Sequence, residues 1–217
     1  MEELKDLSVE EFADGTASAA PVPGGGSVSA LTGALAAALA EMVANLTIGK
    51  EQYVQVEEEM RALSLAGAAI REELIAAIKK DSESFSGYMN ALKLPKNTEE
   101  EKAARRAALQ QGLKDASQAP LAAAQAAAKI FPIAEAVVSR GNKGAVSDGL
   151  IAAMLARTAV IGALFNVKIN LKSIRDEVYV SEMTSVVKEL ERKAIEGEAK
   201  VLALSDLGFQ KGEIEKV

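Results

Sequence analysis

The stretch MRALSLAGAAIREELIAAIKKDSESFSGYMNAL, residues 60–92, decides the fold class. Met60, Leu63, Gly67, Ile70, Leu74, Ile78, Phe85, Tyr88 and Leu92 recur in it at steps of three and four, or their sums. That spacing puts them on one face of a helix. The pattern begins near Glu51 and stops before Pro95. At ~1.5 Å of rise per residue it predicts a rod roughly 60 Å long. One position breaks the stripe: Asp81 stands where a leucine or isoleucine belongs. Among apolar neighbours a carboxyl group resists ionisation, and its pKa moves toward the range useful for proton transfer. An ion pair with a basic residue of a neighbouring helix fits the same pattern.

Working outward, the chain reads as helical nearly throughout, with no sustained alternation of period two. Ser8 and Glu11 form a capping-box signature for a short first helix, and residues 14–26 read as a loop around Pro21 and Pro23. A second helix is expected over 27–48, ended by Gly49. On it Ser27, Leu31, Ala34, Ala38, Glu41, Asn45 and Ile48 share a face, where helix–helix hydrogen bonding accounts for the polar pair Glu41/Asn45 at least as well as ligand contact does. Residues 22–40 are uncharged and close to membrane-spanning length, yet they open on Pro23 and three glycines, so they read as a buried core helix. Thr98 followed by Glu99–Glu101 starts another helix, which Pro120 and Pro132 should each kink or restart. Arg140–Gly144 is a loop, after which Ser147 or Asp148 can cap a helix reaching Phe165 or beyond. A last helix is expected over 173–204. The expectation is an all-α fold: a single domain, 1–217, of long and partly kinked helices.

Composition narrows the chemistry. Of 217 residues, 49% are hydrophobic but only 4% aromatic, so alanine-rich helices must approach closely to build the core. The net charge of −6 argues against nucleic-acid binding, which needs a basic face. With neither cysteine nor histidine, the chain lacks disulfides, thiol nucleophiles, serine triads and the usual zinc ligands. Acid–base work is left to Asp, Glu, Lys and Tyr. The acidic, mixed N-terminus does not read as a secretory signal. A cytoplasmic protein without membrane, metal or cofactor is expected.

Other candidates have two readings each. The turn Gly24-Gly25-Gly26-Ser27 precedes a helix, where free N–H groups favour an anion; read alone it suits a tight chain entry into a crowded helix better. Asn166 and Asn170, one turn apart, can orient a heteroaromatic ring, or terminate one helix and cap the next. Asp148 has the same ambiguity as a helix cap, and Lys96 and Lys172 read alone as surface charges.

Together the runs PVPGGGSVSA (21–30), EMVANLT (41–47), Asp81 with Phe85, ALKLPKNTEEE (91–101), GNKGAVSD (141–148) and GALFNVKINLKSIRDE (162–177) resemble the cyclodeaminase domain of formiminotransferase-cyclodeaminase and its free-standing bacterial relatives. Nothing in the chain resembles the formiminotransferase region. The resemblance implies an all-α fold, a homodimer or higher homo-oligomer, and a folate site in a cleft near the subunit contacts. It implies that Asp81 carries the proton chemistry and that Gly24, Gly25, Gly26, Ser27, Asn142, Asp148, Asn166 and Asn170 line the site. Lys96 and Lys172, in matched runs, are candidate partners for the anionic tail of the substrate. The implied activity is formimidoyltetrahydrofolate cyclodeaminase, with methenyltetrahydrofolate cyclohydrolase as the alternative and an inactive folate-binding helical module as a third. The substrate is a tetrahydrofolate derivative, and no separate cofactor is implied.

Overall fold

A computed structural model describes residues 3–207; the side chains of Ser82, Ser84, Phe85 and Ser86 lie outside the description, and with them the expected place of Phe85 on the apolar stripe. The described residues form seven α-helices and no strand: α1 (Val9–Ala17), α2 (Gly25–Asn45), α3 (Glu57–Leu92), α4 (Glu99–Ala128), α5 (Ile130–Arg140), α6 (Val146–Leu171) and α7 (Glu177–Leu202). The all-α expectation is met.

Two helix starts form as their sequences dictate. Ser8 and Glu11, and then Thr98 and Glu101, each close a full capping box in which side chain and backbone satisfy one another. Gly49, at φ 76°, closes the turn after α2 in a conformation that suits glycine. Other boundaries differ from expectation. Helix α1 runs into the segment expected to be loop, and α2 starts two residues early, at Gly25. Residues Glu51–Val56 make a separate 3₁₀ helix before α3. Neither Ser147 nor Asp148 caps α6; Asn142 instead caps a short 3₁₀ turn, Lys143–Ala145, that leads into it. Asp176 caps α7 through the Tyr179 N–H.

The two prolines behave differently. Pro132 lies in the first turn of α5, where the missing N–H costs little, and the chain restarts just before it at Lys129. Pro120 lies inside α4, which continues through it. A proline there leaves the carbonyl four residues back without its helical donor. That carbonyl is Ala116, and the Asn170 side-chain amide of α6 donates to it at 3.0 Å. A neighbouring helix thus supplies the bond that the sequence removes.

Helices α2, α3, α4 and α6 form the central bundle, each packed against two of the others in turn. Close approaches fix their register. A Cβ on Gly33 would lie 3.2 Å from that of Ala159; one on Gly162 would meet the Ser29 side chain; one on Gly25 would lie 3.8 Å from Asn166 Nδ2. As numbers rise along α2 they fall along α6, so the pair is antiparallel. Likewise Gly26 faces Asp81, Gly33 faces Leu74 and Glu41 faces Gly67, so α3 is also antiparallel to α2. Gly112 packs on Tyr88, and Lys129 at the far end of α4 pairs with Glu73, so α4 is antiparallel to α3.

The core matches the composition. Ala36, Ala40 and Ala44 of α2 and Ala152, Ala153 and Ala156 of α6 are fully buried, with Met60, Leu74 and Ile78 of α3 filling the space beside them. The stripe of α3 is therefore a core face as far as Ile78, whereas Leu92 at its end is exposed. Glu41 is ion-paired with Arg71 at 2.9 Å and Asn45 accepts from Ser64 at 2.7 Å, the helix–helix bonding expected of that polar pair. Three helical stretches, Gly25–Asn45, Glu99–Arg140 and Lys143–Leu171, are long and apolar enough to cross a membrane. In the bundle, half to two-thirds of each one's most apolar window is buried.

Candidate active site

Asp81 stands at the N-terminus of α2. Antiparallel packing brings the C-terminal third of α3 across the first turn of α2, and a glycine at position 26 permits very close contact. An ideal Cβ on Gly26 would fall 2.1 Å from Asp81 Oδ1 and 2.5 Å from its Cγ. Only a residue without a side chain fits beneath the carboxylate. Gly24, the residue before the helix, offers no side-chain cap. Asp81 fills that role from another helix: Ser27 Oγ donates to Oδ2 at 3.1 Å, and the Ser27 backbone N–H also bonds the carboxylate.

The electrostatics are opposed. Burial raises the Asp81 pKa above the ordinary carboxylate value, while the Ser27 hydroxyl and N–H act to lower it; burial is the larger influence. The positive end of the α2 dipole also favours the ionised form. A carboxyl group so placed can hold a charge and still accept a proton readily, as a general base must.

The expected site residues divide into two groups. Gly25, Gly26, Ser27, Asp81 and Asn166 lie together, with Asn166 Nδ2 beside Gly25 and donating to Gly162 O at 3.0 Å. Gly24 adjoins them as the N-cap of α2. Asn166 lies inside α6, and Asn170 lies in its last turn, where its carbonyl accepts from the Lys172 and Ser173 N–H groups while its side-chain amide supports α4 at Ala116. In the glycine turn the N–H of Ser27 faces the Asp81 carboxylate.

Asn142 and Asp148 lie at the opposite end. Asn142 donates to Leu46 O at 3.1 Å, and its backbone N–H donates to Thr47 Oγ1 at 2.9 Å, both at the C-terminal end of α2. Asp148 is half-buried in the first turn of α6. With 21 residues in α2, the two ends stand roughly 30 Å apart in one chain. Thr47, fully buried and holding Asn142 in place, is a partner that sequence patterning missed, although it belongs to the run EMVANLT.

Lys96 and Lys172 are both exposed, Lys96 in the α3–α4 connection and Lys172 as the C-cap of α6. They are not neighbours. Gln110 of α4 donates to Ser173 O and accepts from the Arg175 N–H, which ties the Lys172 end of α6 to α4 at residue 110. Lys96 precedes the first residue of α4, Glu99, roughly 16 Å or more further along that helix.

An open groove of about 660 Å³ between α3 and α4 is lined by Glu83, Asn90, Gln111 and Asp115, with Leu94 and several glycines and alanines. Its acidic lining does not suit an anionic ligand. Among the described residues, no group of three acidic side chains could hold a metal ion.

Residues 8–189 match the formiminotransferase-cyclodeaminase family. The chain belongs to that family. Members similar to it include the methenyltetrahydrofolate cyclohydrolase of Methylorubrum extorquens, 42% identical over 85% of this chain and 87% of that protein. The formimidoyltransferase-cyclodeaminase of Gallus gallus is 42% identical over 84% of this chain but only 34% of its own length. The chain thus spans about a third of that longer relative. Among solved structures, a formiminotetrahydrofolate cyclodeaminase from Thermotoga maritima superposes with a TM-score of 0.83 at 36% identity, covering 93% of this chain and 97% of that one. The family is an enzyme family, and the all-α fold is common to this chain and that structure.

Proposed function

We propose that this chain is a formimidoyltetrahydrofolate cyclodeaminase, converting 5-formimino-tetrahydrofolate to 5,10-methenyl-tetrahydrofolate and ammonia. The observation that carries it is the Asp81 carboxyl group, half-buried against Gly26 and Ser27 in a chain similar to the Thermotoga maritima cyclodeaminase over nearly its whole length. N10 attacks the formimino carbon, giving a tetrahedral centre between N5 and N10. Asp81 takes the N10 proton and delivers it to the departing nitrogen. The carbon–nitrogen bond breaks, ammonia leaves, and the carbon stays joined to both ring nitrogens. The formimino group enters protonated, so the single N10 proton completes the departing NH3, its positive charge ends on the 5,10-methenyl product, and atoms and charge balance with no cofactor. Such a proton shuttle contributes about 10²–10⁴-fold, and folding the substrate so that N10 meets the carbon contributes at least as much.

A second activity is favoured by a specific observation, the 42% identity to a methenyltetrahydrofolate cyclohydrolase over 87% of its length. That reaction passes through the same kind of tetrahedral carbon, with water in place of ammonia. Purified protein assayed for both ammonia release and 10-formyl-tetrahydrofolate formation separates the two. In either assay Asp81→Asn should lower kcat by roughly 10²-fold or more with the fold intact. Near-normal turnover would refute the role of Asp81.

The partner we propose is a second copy. Val28, Leu35 and Met42 of α2, Leu46 just after it, and Ile151, Met154, Phe165 and Ile169 of α6 are exposed along the outer faces of the antiparallel pair. A two-fold axis across that pair would cover both stripes. It would also lay the Asn142/Asp148 end of one copy beside the Asp81 end of the other, closing the ~30 Å separation within a chain. Lys96 and Lys172, being apart, serve as separate contacts for the carboxylates of the folate tail. Both the fold and the small polar substrate are consistent with a cytoplasmic enzyme.

A further inference from the structure

Ser27 differs from the other hydroxyl residues around α2. Ser29, Thr32 and Thr47 each donate to the carbonyl four residues back, at 2.6, 2.8 and 2.7 Å. This is the usual bond of a hydroxyl side chain in a helix. Ser27 reaches instead to Asp81, 54 residues away in sequence, and it does so from full burial. A buried hydroxyl so directed fixes the orientation of whatever it bonds, because the alternative leaves it unsatisfied. A Cβ at the neighbouring Gly26 would lie 2.1 Å from Asp81 Oδ1, so the glycine lets the carboxylate come down onto the first turn beside Ser27.

We propose that Ser27 is a positioning residue for Asp81 rather than a substrate contact. Its hydroxyl holds Oδ2 and its N–H faces the same carboxylate, so the carboxyl group presents one fixed face to the reacting atoms. The proposal rests on the catalytic role of Asp81 given above. Both donors favour the ionised form against the effect of burial. Ser27 therefore also keeps Asp81 able to act as a base over a wider pH range.

The test compares Ser27→Ala and Ser27→Thr with wild type and Asp81→Asn, measuring kcat, KM and the pH profile of kcat/KM. Ser27→Ala should lower kcat by roughly 10-fold with KM little changed, since the contact serves the transition state. Loss of a donor to the ionised carboxylate should move the acid-side limb of the profile to higher pH. Ser27→Thr, which keeps the hydroxyl, should restore both. If Thr does not fit the buried site, as thermal melting reveals, the limb of the Ala variant decides alone. A folded Ser27→Ala with the wild-type kcat and limb overturns the proposal, as does a loss of melting temperature with no movement of the limb. An inactive Asp81→Asn beside an unperturbed Ser27→Ala overturns only the role of Ser27. Near-normal turnover by Asp81→Asn overturns the catalytic assignment on which that role rests.

Discussion

The contact between Gly26 and Asp81 makes Gly26→Ala a sharp perturbation. The added methyl would fall 2.1 Å from Oδ1 and 2.5 Å from Oδ2, whereas ordinary contact begins near 3.4 Å. The carboxylate must therefore withdraw by 3.4 minus 2.1, or about 1.3 Å, if the backbone holds. That displacement breaks the 3.1 Å bond from Ser27. A misplacement of ~1 Å in a catalytic constellation can cost about 10²-fold, so kcat should fall by that order. Stability should change far less. Alanine gains up to about 1 kcal/mol over glycine in a helix, while overpacking costs about 1–3 kcal/mol, leaving a folded protein. The comparator is Gly25→Ala, whose methyl meets Asn166 Nδ2 at 3.8 Å, an ordinary contact. Turnover, measured as ammonia release, and thermal melting by circular dichroism should be recorded on both variants. Gly26→Ala should be folded and crippled, and Gly25→Ala folded with the smaller loss. A Gly26→Ala protein within about threefold of wild-type kcat would refute the claim that this close approach sets the catalytic geometry.

Three further outcomes are expected. Burial raises the Asp81 pKa in the folded state, so the folded protein binds this proton more tightly than the unfolded chain does. The group's contribution is then fully present below the ordinary carboxylate pKa and lost as pH rises through the folded value. Asp81→Asn should thus melt above wild type at neutral pH and converge with it in acid; a lower melting point at pH 7 contradicts this. Charges on the exposed apolar stripe, as in Leu35→Glu with Phe165→Glu, should shift sedimentation at micromolar concentration to the monomer and abolish turnover. A wild-type protein that is monomeric and fully active would remove the case for a shared site. Changing Lys96 and Lys172 together to Gln should raise KM for polyglutamylated substrate and flatten its salt dependence with kcat little altered. If neither moves, the folate tail binds elsewhere.

Much of this protein is written in local sequence. Ser8 with Glu11 and Thr98 with Glu101 announce two helix starts because a capping box involves residues only three apart. The stripe from Met60 to Ile78 shows which face of α3 is core, and Asp81 stands out on it because a periodicity of 3.6 residues is legible without any partner. The absence of histidine and cysteine restricts the acid–base chemistry in the same way. What periodicity cannot supply is register between helices, since it names a face but not what that face meets. Only the tertiary structure placed Gly26 under Asp81 and Asn166 beside Gly25. It also placed Asn142 and Asp148 at the other end of the bundle, although all six belong to matched runs. The same holds for Pro120, whose place in α4 depends on an amide at Asn170, fifty residues on, that no local rule connects to it. Register is set where side chains shrink to a hydrogen or a methyl and backbones can close, and that depends on two helices at once.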